Sequence, residues 1–224
     1  MTHATRTRLL LAGGVVAPLL FNGVILLEGA IRPGYDPLHR FGSELALGDR
    51  GWVQIVNFIL TGVLIVFFSA GLRRAMPTGP GSVTAPALAA IVGVSLVIGG
   101  VFVIDPLPGY PPGDRAMSTP TTSGLIHDLN PFLFYGAFVA LAVTMARRFA
   151  GEPRGFWTWF CIVTAALAAA TFGAAANMFD PEAQVGHYHG LWQRVSLVVT
   201  LGWFLPIALR SAGSPSARDP VRSV

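Results

Sequence analysis

The chain has 224 residues, 53% of them hydrophobic and only 12% charged, with a mean hydropathy of +0.60. A soluble domain of this size carries about twice that charge fraction, so a wholly water-facing surface is excluded. All fifteen cationic residues are arginine, and the net charge of +4 reads as a topology signal rather than an affinity for nucleic acid.

Six apolar runs lie near 9–30, 52–71, 86–105, 124–146, 156–178 and 191–209. Each is close to the ~20 residues that cross the hydrocarbon layer as a helix. The expected fold is all-α: one six-transmembrane-helix bundle over 1–212, with a disordered cytoplasmic tail over 213–224. Ten arginines (6, 8, 73, 74, 147, 148, 154, 210, 218 and 222) fall at one set of ends. The positive-inside rule then puts both termini in the cytoplasm. The acids gather at the other ends, with Glu28, Asp36, Glu44, Asp49, Asp105, Asp114, Asp128, Asp180 and Glu182 all on or near that side. Cys161 is the single cysteine, which excludes an internal disulfide and a thiolate metal cluster. Arg6 and Arg8 precede a run too long for a signal peptide, so an uncleaved first helix is expected.

In the first helix Pro18 withdraws an amide, which predicts a mild kink, and Asn22 needs a partner. Glu28 and Arg32 stand four apart, as an interfacial ion pair. Asp36-Pro37 favours a turn in the following loop. Phe41 to Leu47 is amphipathic, and as a short interfacial helix it would place Glu44 beside the membrane. Asp49 is a candidate cap for the second helix, with Trp52 at headgroup level. Residues 73–85 read as a connector. The third helix carries Gly93, Gly99 and Gly100, which allow close helix contact, and ends at Asp105-Pro106. A carboxylate meets the negative end of the helix dipole there, so Asp105 either needs a donor or simply starts a turn.

The stretch from Asp105 to Asn130 is thick with proline and glycine and cannot cross lipid, because irregular backbone finds no partner there. The fourth helix has cap candidates at Thr121, Thr122 and Ser123. His127 and Asp128 then fall in its first turns, ahead of Pro131. The alternative start, with Asn130 as cap, leaves only about 16 residues to span ~30 Å. Ionisable groups at membrane depth are costly and point to function. The fifth helix opens on an aromatic belt and ends at Asn177 and Asp180-Pro181. His187, Tyr188 and His189 follow, then Trp192 and Arg194 enter the sixth helix, which Pro206 is expected to kink.

The segments YDPLHRFGSELALGDRGWVQIVNFILTG, DPLPGYPPG, GLIHDL and GLWQRVSL together resemble the bacterial membrane family called domain of unknown function 998, over nearly the whole chain. The matching positions are Asp105, Pro106, Gly109, Tyr110, Pro111, Pro112, Gly113 and His127. The resemblance implies six transmembrane helices and no agreed activity, so it carries over no catalytic role.

The residues suggest an intramembrane enzyme acting by acid–base catalysis on a lipophilic, isoprenoid-like substrate. Only a general similarity of type links it to small membrane-bound terpene cyclases. Asp105, Asp128, His127, Glu44 and Asp180 are the candidate acids and bases, since a carboxyl group beside lipid holds its proton. Tyr110, Asn130, Phe134, Tyr135, Asn177, Trp192 and Trp203 are candidate substrate contacts, with aromatic faces suited to a carbocation. In this arrangement Asp105 and His127-Asp128 face each other across a pocket, and the loop between them is a lid. The expected partners are the membrane and a lipophilic small molecule or lipid, with no cofactor and an open oligomeric state. Two other readings stand: a metal-dependent membrane hydrolase with ligands among His127, His187, His189 and the nearby acids, or a non-catalytic scaffold, lipid-binding protein or transporter. Against transport, no internal repeat or pair of broken helices is evident.

Overall fold

The computed structural model describes residues 2–113, 119–152 and 155–214. Its helices are α1 (His3–Ile31), α2 (Gly51–Ala75), α3 (Thr84–Val101), α4 (Thr122–Phe149), α5 (Phe156–Asn177), α6 (His189–Gly202) and α7 (Phe204–Ala212). The first five, and α6 with α7 as one unit, form six segments long and apolar enough to cross a membrane. The only strands among the described residues are the two-residue pair β1 (Phe179–Asp180) and β2 (Val185–Gly186). This is an all-helical, multi-pass membrane protein. From residue 215 the expected tail lies outside the described residues, as do Asp114, Arg154, Arg218, Asp219 and Arg222.

Local chemistry sets the helix boundaries. The Thr121 hydroxyl accepts from the Gly124 amide at 3.0 Å, so α4 begins ahead of His127 and takes Pro131 into its body. Asp49 does not cap α2; Arg50 occupies the cap position without a side-chain bond, and Asp49 is exposed. Helix α1 continues through Pro18, and Asn22 donates to the Pro18 carbonyl at 2.9 Å. The last span is interrupted at Trp203, three residues before Pro206, whose missing amide cannot serve the preceding turn.

Each helix packs on its neighbours in sequence, and α1 closes on α6 and α7, giving a ring of six spans. Small residues bring the backbones together: a Cβ on Gly93 would meet the Gly62 carbonyl oxygen at 2.7 Å, locking α2 against α3. Toward the ends that carry Arg73, Arg74, Arg147, Arg148 and Arg210, the ring is filled. Phe68, Phe138, Trp203 and Phe204 meet edge to face there, with Leu141 and Met145.

The opposite end is closed by a folded cap made from residues 32–50, 102–113 and 119–121. Its 3-10 helix, Gly42–Ala46, is buried throughout, so the expected interfacial helix is instead an inward plug. The expected Glu28–Arg32 pair is formed, and it is buried rather than on the surface. Glu28 accepts from Arg32 at 2.8 Å and from Arg50 at 2.5 Å, and Arg32 also donates to the Leu47, Leu45 and Arg50 carbonyls. Burying this cluster is tolerable because the charges are paired and the donors engaged.

Candidate functional site

Beneath the cap, the unfilled half of the ring holds a cavity of about 410 Å³. Aromatic and aliphatic side chains make most of its wall, among them Phe58, Phe134, Tyr135 and Phe172. Tyr135 stacks on Phe172 with centroids 4.2 Å apart, which fixes one side of the chamber. Ile104, Leu107 and Pro120 from the described parts of the loop after α3 also line it.

Six of the twelve candidate acids, bases and substrate contacts line this cavity: Asp105, His127, Asp128, Asn130, Phe134 and Tyr135. Their polar groups differ in what holds them. Asp105 accepts from the Thr121 amide at 2.8 Å and the Thr121 hydroxyl at 2.6 Å. Its carboxylate thus sits at the start of α4, where the dipole and free amides favour it, and the unfavourable end of α3 is compensated. A Cβ on Gly124 would collide with that carboxylate. His127 Nδ1 donates to the Phe102 carbonyl at 2.8 Å, tying α4 to the end of α3. Asn130 exchanges two bonds with Ser95, at 2.7 and 2.9 Å. Asp128 lines the cavity but is exposed, and it accepts no hydrogen bond from any described residue.

The remaining candidates lie elsewhere. Glu44 is fully buried next to the lining residue Ser43, and its carboxyl turns to the Phe41 amide (2.7 Å) and Arg40 (3.2 Å). Burial pushes it up to about 7 against the pull of Arg40 and the Phe41 amide. Tyr110 is buried in the cap, edge-on to Tyr35, and its hydroxyl accepts from Arg32 at 3.3 Å. Asp180 is exposed and closes a turn onto the Glu182 and Ala183 amides at 2.9 and 3.1 Å. Asn177 is exposed and bonds back to the Gly173 carbonyl. Trp192 is half-buried outside the cavity wall, although Gln193 beside it is part of that wall. Trp203 belongs to the filled half.

The histidines do not gather. His187 is exposed in the hairpin, with its ring 6.4 Å from that of His39, while His189 packs between Phe41 and Phe179. Among the described residues, no group of three or more His, Cys, Asp and Glu side chains is placed to hold a metal ion.

Sequence reasoning gave no role to three residues that shape the site. Arg194 is buried and donates to the carbonyls of Pro37, Arg40 and Gly190 and to the Tyr35 hydroxyl, holding the cap on α6. Burial pushes the Tyr35 hydroxyl up to about 12. Arg40 donates to the Pro108 carbonyl at 2.6 Å, joining the two loops of the cap. Gln193 accepts from the Gly42 amide at 2.6 Å and carries the plug. An arginine inside an apolar span was the available signal for Arg194. Nothing local marked Arg40 or Gln193.

The model of the family described as "Protein of unknown function (DUF998)" matches residues 15–210. The chain belongs to the DUF998 family. No curated protein and no solved structure matches it. The match runs from α1 into α7 and takes in the ring, the cap and the cavity, so the architecture described here is that of a DUF998 member over nearly its whole length.

Proposed function

We propose that this DUF998 protein binds a lipophilic molecule in the capped cavity, with its apolar body against the aromatic wall and its polar end beside His127 and Asp128. One observation carries the reading: a ligand-sized chamber, apolar in its walls, with a carboxyl group that no described residue hydrogen-bonds. Asp105, His127 and Asn130 are engaged by neighbouring backbone or side chains, which favours a structural share for them and leaves Asp128 for the ligand. The positive-inside bias of the arginines supports cytoplasmic termini and a cavity toward the outer leaflet. The test is mass spectrometry of organic-soluble molecules carried through detergent purification. Wild type should retain a discrete species above the bulk lipid background, and Ala175→Leu or Ala176→Leu, which fill the cavity wall, should lose it. Identical profiles from all three proteins would refute the reading.

A second reading, protonation chemistry on the bound lipophile, is favoured by the same Asp128 carboxyl group facing an aromatic chamber. Phe134, Tyr135 and Phe172 would stabilise a developing cation through their ring faces. Asp128 would then be the acid, and isomerisation or cyclisation of an isoprenoid-like chain the reaction class. Asp128→Asn should abolish product formation from the retained species while leaving its binding in place. Turnover by that variant would remove the second reading alone.

A further inference from the structure

We infer that the polar end of the cavity ligand is a hydroxyl or an amine, and that phosphate and diphosphate esters are excluded; this rests on the cavity being a ligand site. The inference comes from where the charges at this end of the ring are directed. Among the described residues, the charged groups lining the cavity are two carboxyls, Asp105 and Asp128, and no arginine lines it. The four described arginines of the capped end all turn elsewhere. Arg32 and Arg50 meet Glu28, Arg40 meets Glu44 and the Pro108 carbonyl, and Arg194 meets the carbonyls of Pro37, Arg40 and Gly190.

A helix N-terminus is the other common anchor for an anion, and the start of α4 borders this cavity. That position already carries the Asp105 carboxylate, bonded to the Thr121 amide and hydroxyl. An anionic ligand end would therefore face two carboxyl groups against an apolar wall, with no arginine among the described lining residues to pair it. A hydroxyl or amine brings a donor, which Asp128 accepts without disturbing any bond present. The two lining carboxyls thus act as a specificity element, rejecting the charged ester while admitting the free alcohol or amine.

The deciding experiment uses the full chain in nanodiscs and three probes with one farnesyl chain: the alcohol, the primary amine and the monophosphate. Equilibrium binding of each is measured to wild type, and binding to Ala175→Leu is subtracted as partition into lipid. The alcohol and the amine should bind about tenfold or more tighter than the phosphate, and Asp128→Asn, which removes one of the two repelling carboxylates, should narrow that gap. Cavity-dependent binding in which the phosphate equals or exceeds the alcohol would overturn this inference and leave the cavity as a ligand site. If no probe binds wild type better than Ala175→Leu, the ligand-site reading fails, and the inference with it.

Discussion

Arg194 on α6 donates to the carbonyl oxygen of Pro37 at 2.6 Å, fastening the last membrane span to the first loop. The same guanidinium reaches the Arg40 and Gly190 carbonyls at 3.0 Å each, so one buried cation orders three backbone acceptors. Arg194→Met strands those carbonyls and is expected to lower stability by on the order of 3 kcal/mol. Arg194→Lys should recover only part, because an ammonium lacks the planar fork that spans several acceptors. Thermal unfolding in detergent, followed by tryptophan fluorescence, measures both.

The pair formed by Asp105 and Thr121 makes a separate prediction. If Asp105 anchors the start of α4, Thr121→Val and Asp105→Asn should each cost about 1–2 kcal/mol, and the double variant less than their sum. Gly124→Ala forces a Cβ into the same carboxylate and should cost about 1–3 kcal/mol. A double-mutant cycle on unfolding free energy checks the coupling. Strict additivity would contradict the anchoring role.

Glu44 gives the cap a pH dependence of defined sign. Its folded pKa, about 7, lies above the ordinary value of 4.5, so the folded state binds the proton more tightly than the unfolded chain does. The resulting stabilisation is fully present below about pH 4.5 and is lost as pH rises through about 7, with an upper size of about 3 kcal/mol. Arg40 and Arg194 pull the other way, and burial outweighs them. Melting profiles between pH 4.5 and 8.5 should show the wild type weakening through neutrality. Glu44→Gln should flatten that limb.

The arginine asymmetry predicts orientation. A reporter fused after Ser214 should be active only as a cytoplasmic protein. A cysteine placed at the exposed Asp180, with Cys161→Ser as background, should react with a membrane-impermeant maleimide from outside. Labelling only after the membrane is opened would invert the topology.

Much of the fold was legible because spanning a bilayer needs long apolar runs and little else. The start of α4 followed from the threonines ahead of its apolar run. Asp105 was legible as either a group needing a donor, since a carboxylate disfavours a helix C-terminus, or a simple turn initiator. Its donor was Thr121, sixteen residues away, which no periodicity reports. Glu44 was misplaced because an amphipathic heptapeptide looks the same whether its apolar face meets lipid or a protein cap. Asp180 repeated the Asp-Pro pattern of Asp105 yet ends in an exposed hairpin turn, because sequence does not show which ends the ring covers. Trp203 and Phe134 were equivalent as aromatic residues in a span. Only packing separates the filled half of the ring from the open one.

Photoaffinity labelling with a diazirine-bearing farnesol analogue, read out by peptide mass spectrometry, tests the central claim most directly. Ligand binding in the cavity predicts modification of the buried Phe134 and Tyr135, abolished by Ala175→Leu, while modification of the exposed Phe156 and Trp159 stays unchanged. Labelling confined to those exposed residues, or interior labelling indifferent to Ala175→Leu, would contradict it.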